Sequence, residues 1–216
     1  MIFQTRCAGC DTPGAVVCTT CRFALLGPRP RTAAHGVHAV LPFTGRARDV
    51  VLGLKYRNRR QVARHVAGLV VNGIVANGDH DVDVVTWAPT SDARRRARGF
   101  DQAELVAAHV ARQLGAPCRR LLERESVGDA QTGRTRLERL RGPRFRARPG
   151  LAGRRVLVVD DVVTTGSTLR AAHAALVDQG AEHVAMYAVA ATPAGVSAAR
   201  RPARSHLAMV GNEVAA

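Results

Sequence analysis

Lysine is nearly missing from this 216-residue chain: Lys55 is the only one, although lysine and arginine together number 32. The formal charge of +15 is therefore an arginine charge. Arginine's planar fork pairs with phosphate oxygens, and a basic surface attracts polyanions. Nucleic acid and phosphorylated small molecules both fit that balance, and so does an arginine-biased genome with neither partner. Aromatic residues make up only 4%, a poor supply for the stacking platforms on which single-strand binders hold bases. No apolar run reaches the roughly 18 residues of a membrane helix, and the N-terminal MIFQTRCAGC has no charged-then-apolar leader pattern. The chain is therefore expected not to insert in a membrane and to be cytoplasmic. No GK[ST] follows a glycine-rich turn, which excludes a P-loop. A hydrophobic content of 46% supports one good-sized core, with a small appendage.

Four of the five cysteines lie in CAGCDTPGAVVCTTC. Cys7 and Cys10 form one CxxC pair, and Cys18 and Cys21 a second. Each pair can set two thiolates on one turn, and two such turns can close a tetrahedral Zn²⁺ site. Disulfides, or a site that has lost its metal, are the alternatives. A reducing compartment disfavours the first, and a redox CxxC usually comes singly. Four protein ligands would close the site, so the ion would be structural Zn²⁺. Cys118 is left over and reads as a small buried hydrophobe. A Pro-, Gly- and Arg-rich stretch, LLGPRPRTAAHG at 25–36, reads as a linker. The expected division is a zinc-knuckle-like module at 1–30, a main domain at 37–192 and a tail at 193–216.

In the main domain, apolar runs alternate with amphipathic ones. Strands are expected at 37–43, 83–89, 118–122, 155–160 and 183–192. Helices are expected at 44–54, 59–77, 99–114 and 166–178. Residues 124–150 break the pattern as a long basic excursion. Several strands are apolar throughout, which predicts an α/β fold with an open, mainly parallel sheet flanked by helices.

One stretch carries the chemistry. VLVVDDVVTTGSTLRAA (156–172) ends an apolar strand on Asp160 and Asp161, then sets Thr164, Thr165, Gly166, Ser167 and Thr168 ahead of an Ala-rich helix. Ligands of open α/β sheets bind beyond the carboxyl ends of the strands. The free amides of a helix N-terminus favour an anion there, and Gly166 allows the backbone to come close. The hydroxyl-rich turn suits a phosphate. The two carboxylates suit a hydroxyl donor or a cation, so a sugar phosphate satisfies both halves. A plain helix cap or a response-regulator-like acidic pocket would be the alternatives. For the latter the pair comes too late in the chain, and no later apolar strand ends in Asp.

VLVVDDVVTTGSTL resembles the phosphoribosyl-pyrophosphate (PRPP) motif of type I phosphoribosyltransferases. The CxxC…CxxC head, LKYR (54–57), RGFDQAELVA (98–107) and QTGRTRLERLRG (131–142), taken in order, resemble the ComF family. These are phosphoribosyltransferase-like proteins associated with DNA uptake in competent bacteria. The resemblance covers about residues 5–192. It departs from the pattern at Asp101, where Asn is expected, and at WAPT (87–90), where a Pro-rich turn is expected.

The resemblance implies that Asp160 and Asp161 bind the ribose hydroxyls, that Thr164, Thr165, Gly166, Ser167 and Thr168 hold the 5′-phosphate, and that Val162 and Val163 belong to the same PRPP-binding stretch. The reaction would be displacement of pyrophosphate at the anomeric carbon with Mg²⁺. Arg94, Arg95, Arg96 and Arg98 lie near the loop that meets the pyrophosphate, and Arg98, which opens the RGF motif, is the preferred candidate among them. The excursion at 124–142 would be a lid carrying Arg134 and Arg136, and Lys55 and Tyr56 could border the site. The acceptor is not legible. The competing reading is a binding protein whose basic face and zinc knuckle contact single-stranded DNA or a competence partner.

Overall fold

The computed structural model describes residues 4–26, 36–56, 60–125 and 142–193, with backbone only at 55 and 56. The bulk of the 25–36 linker, the tail, Arg134 and Arg136, and the side chains of Lys55 and Tyr56 lie outside the described residues.

Four strands pair in parallel: β1 (Val37–Pro42), β6 (His183–Ala191), β5 (Arg155–Val163) and β2 (Val84–Trp87), side by side in that order. The register sets Val37 and Val158 both opposite Met186, and Val84 opposite Val156. Side chains alternate across a strand, so each strand feeds two cores. Leu157, Val159, Val85 and Tyr187 join one cluster with α2 (Gly45–Tyr56), α3 (Val62–Asn77) and α5 (Gln102–Leu114). Val156, Val158, Val84 and Ala188 join the other, under α6 (Ser167–Asp178) and a small antiparallel ribbon of β3 (Leu122–Arg124) and β4 (Phe145–Ala147). This is the α/β architecture expected from the continuous apolar strands. Among the described residues, no helix is long and apolar enough to cross a membrane.

The cysteine head packs onto this body. Its short helix α1 (Thr19–Ala24) and the buried Cys7, Ala8, Val17, Cys21 and Leu25 belong to the same apolar cluster as Val50, Val51 and Leu54 of α2. Two glycines permit the approach: a Cβ at Gly53 would lie 2.9 Å from the Ala8 carbonyl oxygen, and one at Gly9 would lie 2.7 Å from Cys21 Sγ. Arg46 Nη1 donates to the Gly9 carbonyl at 3.3 Å across the joint. Gly53→Ala should improve helix propensity yet destabilise by about 1–3 kcal/mol, because the added methyl meets backbone that cannot yield. Denaturant melts of the two proteins check this; an unchanged midpoint would mean that the head moves away freely.

Five expectations need correction. The helix expected at 99–114 begins only at Gln102, as α5, and a separate helix that was not expected, α4 (Asp92–Arg98), precedes it; Gly99 turns left-handed at φ 75° between them and Asp101 caps the start of α5. The strand at 118–122 is displaced. Residues 117–119 run beside β2 with one bridge, Val85 to Cys118, and regular pairing begins only at Leu122. The excursion is shorter at its C-terminal end, since Phe145–Ala147 pairs with β3. Finally, β5 does not stop at the acidic pair: pairing to β6 continues through Val162–Ala190 and Val163–Ala191, because β6 is long enough to support it. Cys118 is half-buried rather than buried.

Candidate functional site

The acidic pair straddles the sheet. Leu157 and Val159 face the α5 side, and Val156 and Val158 face the α6 side. By strand alternation Asp161 follows the first set and Asp160 the second. The electrostatics agree: Asp161 bears on Asp101 at the start of α5, while Asp160 bears on Arg124 of β3. Both carboxylates are half-buried, and Asp160 Oδ1 accepts from the Asp161 amide at 2.7 Å.

Beyond them the chain turns through exposed Thr164 and Thr165 into α6. Val162 is half-buried and Val163 is buried, where its carbonyl accepts from the Thr192 amide at 3.0 Å. They therefore line the turn by backbone. Gly166 caps α6 with φ 77° and has no side chain to satisfy the helix's first amides. Thr165 Oγ1 lies 3.4 Å from the Ser167 amide and donates to Ser167 Oγ at 3.1 Å. Arg170 Nη1 donates to the Thr165 carbonyl at 2.8 Å, adding a cation beside the same turn. Gly142, where the chain returns from the excursion, would put a Cβ 3.1 Å from Ser167 Cβ. The two ends of the excursion are tied by Glu125 N donating to Arg144 O at 3.0 Å. Its stem thus stands over the turn.

The loop after β2 forms the other wall. Asp101, only 4% exposed, accepts from the amides of Thr90 (2.8 Å) and Ala103 (3.0 Å). It caps α5 and fastens the loop in one move. Arg124 Nη1 donates to the Pro89 carbonyl at 3.4 Å from the opposite side, with its guanidinium 5.8 Å from the Phe145 ring. Arg95, Arg96, Phe100, Asp101 and Glu104 line a cavity of about 520 Å³ beside this loop. Of the arginines expected here, Arg96 is exposed and lines that cavity, whereas Arg98 is half-buried and gives Nη1 to Gln102 Oε1 at 2.7 Å.

Burial, and secondarily the charge of Asp161, raises the Asp101 carboxyl above its ordinary 3.8, against the pull of the amides that it accepts from. The folded state therefore holds this proton more tightly than the unfolded chain does. Its contribution to stability is full below pH 3.8 and is lost as pH rises through the raised folded value. Asp101→Asn removes that dependence but keeps one acceptor. The stability difference, wild type minus variant, should grow in favour of wild type on acidification toward pH 3.8. Paired urea melts across pH 3.5 to 7 measure it, and a flat difference would refute the assignment.

Asp101, Arg124 and Arg170 were not singled out from the sequence as site residues. Asp101 had a signal: Asp-x-x-Glu before an apolar periodic run is a helix-start pattern. Arg124 and Arg170 had none among so many arginines.

At the head, the four sulfurs of Cys7, Cys10, Cys18 and Cys21 all lie within 4.8 Å of one another, with Cys10 and Cys18 at 3.6 Å. A Zn–S bond of about 2.3 Å places tetrahedral sulfurs roughly 3.8 Å apart, so the set could hold zinc. No disulfide joins any two of the four. The Thr12 hydroxyl and amide bring Cys10 down to about 6, while burial and the neighbouring sulfurs push Cys21 up.

The phosphoribosyl transferase domain family model matches residues 101–214, just over half of the chain. The chain is similar to the DNA utilization protein YhgH of Salmonella typhimurium, at 27% identity over 194 residues, 86% of this chain and 84% of the relative. Among solved structures it is similar to the glutamine PRPP amidotransferase of B. subtilis. The figures there are 22% identity, a TM-score of 0.43, and coverage of 60% of this chain but 26% of the amidotransferase. It is also similar to a purine phosphoribosyltransferase of Pyrococcus horikoshii, at 16% identity and TM-score 0.39, covering 60% of this chain and 83% of that one. Because that model spans just over half of the chain, from the buried Asp101 cap through β5, the hydroxyl turn and α6, the chain belongs to the phosphoribosyl transferase domain family.

Proposed function

We propose that the chain binds PRPP with Mg²⁺ and transfers its phosphoribosyl group to an acceptor. The observation that carries this is a pair of carboxylates one turn away from a helix start whose cap has no side chain. Asp160 and Asp161 accept hydrogen bonds from the ribose hydroxyls. The amides of Gly166, Ser167 and Thr168, with the hydroxyls of Thr164, Thr165, Ser167 and Thr168, take the 5′-phosphate. Arg170 adds a cation and holds the turn's backbone.

The oxygen donors of Asp160 and Asp161 are the hard ligands that Mg²⁺ prefers, so they fit a substrate-borne magnesium as well as hydroxyls. Mg²⁺ would offset the negative charge that grows on pyrophosphate as it leaves. The bond from the anomeric carbon to pyrophosphate oxygen breaks as the bond to the acceptor forms. Arg96 is the leading pyrophosphate residue, since Arg98 is engaged with Gln102. Lys55, Arg134 and Arg136 complete the candidate set, the last two from a lid over the excursion's stem. Structural zinc on the four cysteines holds the head against α2, with the module at 1–30, its boundary in the 25–36 linker, and a tail from 193.

A second reading has its own support. The Salmonella relative is a DNA utilization protein, and the charge of +15 suits a polyanion. On this reading the domain is a binding module for single-stranded DNA or a DNA-uptake partner. Calorimetric titration of PRPP with Mg²⁺ separates the two, run beside ribose 5-phosphate and followed by a pyrophosphate-release screen of acceptors. Saturable PRPP heat with release on some acceptor supports the enzyme. No PRPP heat, with salt-sensitive affinity for a DNA strand, supports the binding module.

A further inference from the structure

A second concave surface lies away from the acidic pair, between the outer sides of α3 and α5. Arg64, His65, Gly68, His109, Arg112 and Gln113 line a groove of about 820 Å³, within the size range of small-molecule sites. Among the described residues, no carboxylate lines it. Arg112 is ten residues beyond Gln102, roughly 15 Å along the helix from the α5 start that borders the acidic site.

The charges here oppose one another. His65 is lowered first by burial and then by Arg22 and Arg64. His109 is lowered first by burial and then by Arg112 and Arg64. Arg112 Nη1 lies 3.5 Å from His109 Nδ1. Cations from α3 and α5 thus converge on one concavity, with Arg22 of α1 bearing on His65 from beside it, at a cost in mutual repulsion that an anion would offset. Gly68 keeps the floor open: the nearest atom to a Cβ there would be Gln113 Oε1, at 3.8 Å. Two exposed guanidinium forks, two imidazoles and a primary amide form a donor set that matches phosphate oxygens.

We propose that the α3–α5 groove binds a phosphate-bearing anion, the phosphate of a nucleotide or of a nucleic-acid strand, independently of the PRPP site. Arg64 and Arg112 clamp the phosphate, His65 and His109 donate ring N–H groups to it, and Gln113 completes the shell.

The full chain is titrated with a twelve-residue oligo-dT, with dTMP and with inorganic phosphate, while the ring protons of His65 and His109 are followed by NMR. His65→Gln and His109→Gln assign the signals. Oligo-dT or dTMP should raise the titration midpoints of both histidines. Arg64→Gln/Arg112→Gln should weaken that binding at least tenfold, leave PRPP heat unchanged, and for the strand lower the log–log salt slope by roughly 1.4. Saturation by dTMP identifies free nucleotide as the source, and a response to the strand alone identifies nucleic acid; either supports the groove. Strand affinity unchanged in the double variant would overturn it, placing the strand elsewhere on the basic surface. A histidine response to inorganic phosphate alone, or to none of the three, overturns it equally.

Discussion

Changing Asp160 and Asp161 together to asparagine is expected to remove PRPP binding while leaving the fold intact. Each carboxylate that accepts from a ribose hydroxyl or holds Mg²⁺ is worth about 1.5–3 kcal/mol as a charged partner. Losing two weakens binding by roughly 3 kcal/mol or more, over a hundredfold. Stability should respond differently. Both side chains are half-buried rather than in the core, and Asp161 faces the buried carboxyl of Asp101. Neutralising it relieves one repulsion and opens no cavity, so the melting temperature should stay within about 4 °C of wild type. Calorimetry and thermal melts on the same preparations provide both readings. Binding that survives the double change would remove the ribose from the acidic pair. A collapsed fold would make the pair structural.

The second large effect concerns the head. Protein prepared without added zinc should carry about one Zn²⁺ per chain, and Cys7→Ser/Cys21→Ser should lose it. The consequence should reach past the head. Cys7 and Cys21 are the two buried sulfurs, and they sit in one apolar cluster with Val50, Val51 and Leu54. A structural zinc contributes about 10–16 kcal/mol of apparent binding energy to the segment that folds around it. Without it, the apolar face of α2 loses its cover and the body loses part of a shared core. A loss of about 4 kcal/mol would lower the melting temperature by roughly 8–16 °C in a chain of this size. Hydrogen exchange should show α2 opening before β5 and β6. Metal-free protein with the wild-type melting temperature would reject the zinc assignment. A loss confined to residues 4–26 would make the head an independent unit.

These expectations show which parts of the molecule are local in sequence. The acidic strand, the hydroxyl turn and the helix behind it form one continuous segment, so VLVVDDVVTTGSTLRAA presents the candidate site directly. The paired CxxC turns were legible for the same reason: four candidate ligands within fifteen residues need only short-range geometry. The α/β class followed from strands that are apolar on both faces, which only a doubly covered sheet tolerates.

What the tertiary structure decided are matters of pairing and approach between distant segments. The length of β5 was set by β6, because a strand continues for as long as its neighbour offers hydrogen-bond partners. That extension and the strand's alternation place Asp160 toward Arg124 and Asp161 toward Asp101, a division that no reading of two adjacent letters contains. Asp101 clamps Thr90 across eleven positions, and Arg124 reaches Pro89 across thirty-five. Arg64 and Arg112 meet only because α3 and α5 lie side by side on the sheet. Composition and periodicity determine which residues are buried and which segments are helix or strand, since those depend on nearest neighbours and water. Which arginine among many meets which loop depends on packing between elements far apart in the chain, and that is settled only when the core closes.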